Sequence, residues 1–211
     1  IVVWWPHSVP ENPGEDSIGR IAQRRITDSA RAYDPMAVLT HLSKVYQAGD
    51  SDLAWTRLTL WRTQLAALLE QMPDSPVKRV VVWGSEKSPS VVLLGAWLGW
   101  KLEAEVHLAT IGAAERGLYR VAIEREDGQT IMFRPGKNIA IIETPYTPDQ
   151  QIPLPVRTLA DCISEELRRL DPDTMYGEVL KSAFPTLEMH PAQCDAEPFL
   201  NTSEFPEVFD A

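Results

Sequence analysis

The region between residues 80 and 108 carries the pattern that decides the fold class. Val80-Val81-Val82-Trp83 is a continuous apolar run, which is typical of a central parallel strand covered on both faces. Ser88-Pro89 then places a capping residue before a proline, a common start of a helix. Residues 104–108 alternate apolar and polar side chains, which is typical of a strand. Strand, helix and strand in this order predict a right-handed crossover between two parallel strands.

After residue 110 the pattern changes to short alternating segments joined by turns. Residues 118–126 and 130–134 flank Asp127-Gly128, a pair typical of hairpin turns, and an apolar run at 139–142 follows. These segments predict an antiparallel meander beside the parallel unit. The predicted fold class is therefore α/β, with a mixed sheet that contains a βαβ unit, an antiparallel meander and flanking helices.

Helical patterns lie on both sides of this sheet region. Asp34-Pro35 predicts a helix over 35–47, and apolar residues at helical spacing predict one long helix over 53–72. Thr158 with Asp161 resembles a capping box that opens a helix over 159–170. The inner face of that helix is predicted to carry Leu159, Ile163, Leu167 and Leu170, which puts Glu165 and Glu166 on the solvated side. Asp171-Pro172 predicts a last helix over 172–183.

The chain is predicted to have three parts. Residues 1–72 form a strand-plus-helices segment that continues a missing N-terminal domain, because the sequence starts inside an apolar run. This run, residues 1–5, reads as a strand covered on both faces. Residues 73–184 form a mixed α/β C-terminal domain. Residues 185–211 form an acidic tail with a composition typical of disordered segments.

Charge and hydropathy narrow the classes of partner. The formal net charge is −10, and the tail contributes six acidic residues with no lysine or arginine. This balance argues against a nucleic-acid backbone or an anionic membrane as the main partner. No apolar run approaches the ~20 residues that span a bilayer. Two cysteines, Cys162 and Cys194, are too few for a disulfide framework or a zinc site, although a redox pair stays open as an alternative.

No catalytic, metal or cofactor site is predicted. Residues 84–88 join a strand to a helix where a phosphate would bind, but they contain a single glycine and match no phosphate-binding motif. The four histidines have no second ligand at metal spacing, and no serine or cysteine lies in a nucleophile turn. An ordinary turn is the favoured interpretation of residues 84–88. A small-molecule module for a nucleotide or sugar phosphate remains the alternative function.

The distinctive feature of the sequence is its density of tryptophan and arginine. Trp, Tyr and Arg dominate protein–protein hot spots, and the arginines fall into two basic groups within an acidic protein. The alternative interpretation is that these arginines form salt bridges to Asp28 and Asp52 inside the fold. Composition alone does not decide between the two.

Three blocks within the sequence are specific enough to indicate a family. They read IGRIAQRRITD at 18–28, GDSDLAWTRLTLWR at 49–62 and LADCISEELRRLDP at 159–172. Together with Trp4-Trp5-Pro6 they resemble the actinobacterial glucose-6-phosphate dehydrogenase assembly family, the OpcA family. The resemblance extends over nearly the whole chain except the tail.

The resemblance implies a cytoplasmic protein without catalytic residues or cofactor. Such a protein binds glucose-6-phosphate dehydrogenase, promotes its active oligomer and changes its response to substrate or effectors. The oligomeric state of the protein itself stays open. The residues expected to bind the partner are Arg20, Arg24, Arg25, Trp55, Arg57, Trp61 and Arg62.

Overall fold

The structure is a computed structural model that describes residues 1–72, 75–85, 87–110, 117–145, 147–169 and 171–191. Within these residues, ten strands form one three-stranded and one seven-stranded sheet. The strands are β1 Val2–Trp4, β2 Arg24–Thr27, β3 Asp50–Asp52, β4 Arg79–Trp83, β5 Glu105–Ala109, β6 Arg120–Arg125, β7 Gly128–Phe133, β8 Ile139–Glu143, β9 Gln150–Pro153 and β10 Met189–Pro191. The helices are α1 Pro35–Val45, α2 Leu53–Thr56, α3 Thr59–Glu70, α4 Pro89–Leu102, α5 Leu159–Arg168 and α6 Thr174–Glu178.

The larger sheet has the predicted mixed topology. Its strand order is β10-β5-β4-β6-β7-β8-β9, with β10, β5 and β4 parallel and the strands from β6 to β9 antiparallel. Gly128 begins β7 with φ of +145°, a conformation that favours glycine and closes the β6–β7 hairpin. The α/β class, the βαβ unit and the antiparallel meander are therefore confirmed. Strand β9 is not among the strands predicted from the sequence, because its Gln-Gln-Ile-Pro sequence carries little strand signal.

Helix α4 forms the centre of the core. It is apolar on all sides and packs between β4 and β5 on one side and α1 and α2 on the other. Pro89 occupies its first turn as predicted, but the Ser88 side chain makes no capping hydrogen bond. Gly99 lets the helix approach the sheet, since a Cβ there would lie 2.4 Å from Cγ2 of Val106.

The smaller sheet is parallel, with the order β1-β2-β3, and its strands β2 and β3 are largely polar yet buried. All four residues of β2 and all three residues of β3 are buried. The expectation that β1 is covered on both faces is wrong. This strand pairs only with β2 in the described part of the chain, and Val2 and Trp4 are 42% and 37% exposed.

Three helix predictions need correction. The predicted helix over 53–72 is divided into α2 and α3, joined by Arg57 and Leu58 in helical conformation. The last helix is capped by Asp173, not by Asp171, and continues into one π-helical turn, Val179–Ala183. The Thr158–Asp161 capping box of α5 is present, but Leu167 is 55% exposed while Glu166 is 1% exposed. Helix α5 is thus rotated so that Cys162 and Glu166 face inward.

Other predictions fall at the limits of the described chain. The predicted tail, residues 185–211, begins with ordered structure, because Met189–Pro191 form β10 beside β5. The part from residue 192 onward, with Cys194 and three phenylalanines, lies outside the described residues. None of the helices in the described residues has the length and apolar character needed to cross a lipid bilayer.

Candidate partner-binding site

Six of the seven predicted partner-binding residues lie around the junction of the smaller sheet with α2, α3 and α5. Strand β2 carries Arg24 and Arg25, and the α2–α3 segment carries Trp55, Arg57, Trp61 and Arg62. The seventh, Arg20, lies in a short 3-10 helix and is exposed. The sequence prediction therefore selects residues that mostly share one region of the fold.

Arg24 is the most deeply engaged member of the set. Its side chain is 3% exposed, and Nη2 lies 2.6 Å from Oε2 of Glu166, which is 1% exposed. Nη1 donates to the backbone carbonyls of Arg169 at 2.8 Å and Asp171 at 2.9 Å. Glu166 also accepts from the hydroxyls of Ser51 at 2.8 Å and Thr56 at 2.7 Å. This ion pair therefore ties β2 to β3, α2 and α5.

Arg25 and Arg57 are likewise paired inside the fold. Arg25 pairs with Asp50 and donates to the carbonyl of Ala48 at 2.7 Å. Arg57 forks onto Asp28, with its two terminal nitrogens 2.7 and 2.8 Å from the two carboxylate oxygens. Although burial opposes the charge, hydrogen bonds from Arg57 to Asp28 raise the pKa of Arg57 above its ordinary value. For Arg57 the salt bridge to Asp28 considered from the sequence is present.

Asp52, the second carboxylate considered as an arginine partner, is bound by neutral donors instead. It accepts from the Thr27 hydroxyl at 2.7 Å, from the Ser29 N–H and hydroxyl at 2.9 Å each, and from the Ala54 N–H at 2.9 Å. Burial raises the pKa of Asp52, with a smaller contribution from nearby Asp28. Asp52 thus caps α2 and locks β3 to the turn that follows β2.

Trp55 and Arg62 form a stacked pair. The Trp55 indole is 1% exposed, and its N–H donates to Oδ2 of Asp173 at 3.1 Å. The Arg62 guanidinium lies 3.8 Å above the centre of the Trp55 ring, a cation–π contact. Trp61 is 3% exposed and belongs to the main core, so its place is that of a packing residue.

Four further residues join this pair, and none of them is among the residues predicted to bind the partner. Arg157 contacts Oε2 of Glu165 at 2.5 Å, and Arg169 bridges Oε1 of Glu165 at 2.9 Å and Oδ2 of Asp173 at 2.5 Å. Arg62, Arg157, Glu165, Arg169 and Asp173 are called the outer cluster below. The expectation that Glu165 and Glu166 simply face solvent is wrong. Glu166 accepts from Arg24 of a distant strand, and Glu165 accepts from Thr59, Arg157 and Arg169. Glu165, Arg169 and Asp173 follow one another at intervals of four residues, and this spacing is the sequence signal that indicates ion pairs among them.

Burial determines which of the seven predicted residues can contact a partner directly. Arg24, Arg25, Trp55 and Trp61 are buried, and Arg57 is largely covered. Any effect of these residues on a partner acts through the surface they support. Arg20 and Arg62 retain exposed area for direct contact. The assignment of all seven to partner binding stays a prediction.

The remaining candidate sites are the loop between β4 and α4, the Cys162 thiol, a metal site and a surface pocket. Gly84 in the β4–α4 loop is a packing position, since a Cβ there would lie 2.5 Å from Cγ2 of Val91. Burial raises the pKa of the Cys162 thiol. In the described parts of the chain, no group of three His, Cys, Asp or Glu residues could hold a metal ion. A pocket of about 320 Å³ lies at the far end of α4 and includes Trp100, Glu105 and His190.

Solved structures with some likeness to the chain include KijD10, a 3-ketoreductase from Actinomadura kijaniata, in complex with NADP. It is 9% identical, with a TM-score of 0.47 over 90% of this chain and 78% of that chain. The same enzyme with NADP and TDP-benzene gives 9% identity and a TM-score of 0.42 over 80% and 71%. At these values no function is inferred from either structure. No curated protein sequence matches the chain.

Two family models match consecutive parts of the chain. The model for the N-terminal domain of the glucose-6-phosphate dehydrogenase subunit matches residues 1–44. The model for the C-terminal domain of the same kind of protein matches residues 48–180. The two matches border at residues 45–47, and the division predicted at residue 72 stays a prediction. The resemblance seen in the three sequence blocks is confirmed: the chain belongs to the OpcA family of glucose-6-phosphate dehydrogenase subunits.

Proposed function

We propose that the protein is a non-catalytic assembly factor and allosteric activator that binds glucose-6-phosphate dehydrogenase in the cytoplasm. The observation that carries this proposal is the match of residues 1–44 and 48–180 to two domain models of a dehydrogenase subunit. The family blocks support it chemically. Most of their arginines and carboxylates in the described residues are engaged with one another, which suits a rigid binding body more than a catalytic site.

Activation by such a factor requires a difference in affinity. A protein that binds the competent and incompetent arrangements of the dehydrogenase equally tightly leaves their ratio unchanged. A preference of about 1.4 kcal/mol changes that ratio tenfold, and a few hot-spot residues supply free energies of this size. The function therefore needs only a small surface that fits one arrangement of the enzyme.

The seven residues selected from the sequence divide into two roles within this proposal. Arg20 and Arg62, which keep exposed area, contact the dehydrogenase. Arg24, Arg25, Trp55, Arg57 and Trp61 hold the segments that present this surface, because their side chains are engaged inside the fold.

Titration calorimetry of the protein into the dehydrogenase tests the binding step, and a turnover assay of the protein alone tests the absence of catalysis. We expect saturable binding, and no conversion of glucose 6-phosphate with NADP by the protein itself. Turnover by the purified chain would overturn the non-catalytic role. Saturable binding of NADP, ATP or a sugar phosphate, without any binding to the dehydrogenase, would favour the small-molecule module instead.

A further inference from the structure

Arg62 differs from the other arginines of the outer cluster because no carboxylate in the described residues forms an ion pair with it. It donates a long hydrogen bond from Nη2 to the Thr59 hydroxyl at 3.4 Å. Its Nε is shielded from solvent and has no hydrogen-bond partner within the described parts of the chain. Among the described residues, no carboxylate oxygen forms an ion pair with it, whereas Arg157 and Arg169 each contact one or two.

Both carboxylates of the outer cluster already accept three hydrogen bonds each. Glu165 accepts from Thr59 and Arg169 through Oε1 and from Arg157 through Oε2. Asp173 accepts from Trp55 and Arg169 through Oδ2 and from the Tyr176 N–H through Oδ1. Three arginines face two carboxylates, so the outer cluster carries one excess positive charge within a protein of net charge −10.

The guanidinium of Arg62 lies in a largely desolvated position, which is unfavourable for a charge. Burial lowers the pKa of Arg62 to about 10, which still leaves the guanidinium charged at neutral pH. Asp173 and Glu165 lie near enough to offset part of this effect, but neither forms an ion pair with Arg62. A desolvated charge without direct hydrogen bonds to a carboxylate destabilises the folded state, and such bonds would relieve that penalty. Stacking on Trp55 fixes the guanidinium plane and leaves its edge N–H groups as donors.

The site is open enough to be reached from solution. Arg62 is partly exposed, and the side chain of neighbouring Arg169 is 35% exposed. An arginine stacked on a buried tryptophan at a partly covered surface has the composition of an interface hot spot. A single negative charge balances the cluster. A phosphate dianion would leave it negative and would also lie close to Glu165 and Asp173.

We propose that Arg62 receives an aspartate or glutamate side chain of the dehydrogenase, in a two-pronged ion pair formed only in the complex. The inference rests on the proposed function and names the contact through which that function operates. Arg169 flanks the same opening and adds a second positive charge beside the incoming carboxylate. The outer cluster is thus incomplete in the free protein and is completed by the partner.

The variant Arg62→Gln tests this contact with two readouts. Because it removes an uncompensated charge, we expect the thermal midpoint of the free protein to stay the same or rise. We expect its affinity for the dehydrogenase, measured by titration calorimetry, to fall at least tenfold, and the salt dependence of binding to weaken. Arg62→Lys keeps the charge but loses the fork, and an intermediate loss is expected. Arg79→Gln, the same change at an arginine of the larger sheet, serves as the matched control.

Several outcomes would overturn the proposal. Unchanged affinity of Arg62→Gln, with wild-type binding intact, removes the contact while leaving the proposed function standing. A lowered thermal midpoint in both Arg62 variants makes Arg62 a structural residue. Inorganic phosphate that stabilises the wild type but not Arg62→Gln assigns the site to a free anion. Absence of any wild-type binding to the dehydrogenase removes the proposed function itself, and the contact with it.

Discussion

Arginines that enter the interior of this protein are matched by acceptors from distant parts of the chain. The guanidinium of Arg24 meets Glu166 and two backbone carbonyls, and that of Arg57 meets both oxygens of Asp28. A buried pair of this kind adds little net stability over an apolar pair, but loss of one partner leaves the other charge uncompensated. At the residue scale these ion pairs therefore hold distant segments of the chain together.

Removing Arg24 from its buried ion pair with Glu166 should destabilise the fold strongly. We expect Arg24→Ala to lower the free energy of unfolding by about 3–5 kcal/mol, because the buried Glu166 loses its ion-pair partner. The matched control Arg79→Ala removes a pair with Glu124 whose arginine side chain is 44% exposed. Its expected effect is below about 1 kcal/mol. Urea denaturation of both variants measures the difference, and equal effects would contradict the importance of burial.

Asp173 gives a prediction about acid pH. Burial acts to raise its pKa, but the Tyr176 N–H, Arg169 and the Trp55 N–H outweigh burial, and the pKa lies below its usual value. A lowered pKa in the folded state means that the ionised carboxylate adds stability above the unfolded pKa and loses it as the pH falls. We expect the stability difference between wild type and Asp173→Asn to be largest near neutral pH. It should shrink below about pH 4.

Urea unfolding of both proteins between pH 7 and pH 3 checks this expectation. Asp173→Asn is the reference for the wild type, because asparagine has the size of aspartate and does not titrate. A difference that stays constant over the whole range would show that the ionised carboxylate contributes nothing specific.

At the scale of elements, α4 and β5 depend on the absence of a side chain at Gly99. A methyl group there would lie 2.4 Å from Cγ2 of Val106, so the helix and the sheet would have to move apart. We expect Gly99→Ala to destabilise the fold by about 1–3 kcal/mol. Gly136→Ala is the control, since its added methyl would meet no atom within 4 Å.

A double variant sharpens that test. Val106→Ala removes the clashing methyl groups, so Gly99→Ala should be less destabilising in the Val106→Ala background than in the wild type. Thermal unfolding of the four proteins gives the coupling between the two positions. Additive effects would show that the contact does not limit the packing of α4 on β5.

Elements with a strong apolar pattern could be predicted from the sequence, and those whose burial depends on distant partners could not. The apolar run of β4 and the all-apolar α4 identify the βαβ unit directly. By contrast, the Asp-Ser-Asp sequence of β3 gives no strand signal, because its burial depends on hydrogen bonds to β2 and α5. The apolar pattern of α5 is right for Leu159 and Ile163, which pack beside Cys162, but wrong for Leu167. The inward position of Glu166 is set by Arg24, which lies 142 residues away in the sequence.

The candidate site could be predicted from the sequence as a region, but its chemistry could not. The family blocks bring the motif arginines together, yet Arg24 and Arg25 are buried and paired, while Arg62 forms no ion pair with a described carboxylate. Only the placement of Glu165 and Asp173 relative to Arg157 and Arg169 shows that both carboxylates bind other arginines. Which arginine of a set is unpaired is a property of three-dimensional geometry.

At the scale of the whole molecule, the proposed function gives the core around α4 and the two sheets one role, the support of a recognition surface. The proposed function requires that surface to prefer the active oligomer of glucose-6-phosphate dehydrogenase over its dissociated form. A difference in affinity between these two forms, and not tight binding alone, shifts the oligomer equilibrium of the enzyme.

The most direct test measures the dehydrogenase at a dilution where its oligomer begins to dissociate, with and without saturating amounts of the intact protein. Light scattering gives the mass of the complex, and a parallel assay gives the specific activity. The account predicts a mass increase larger than the bound protein adds, together with a rise in activity that follows the oligomer fraction. An unchanged oligomeric state and unchanged activity of the dehydrogenase would contradict it.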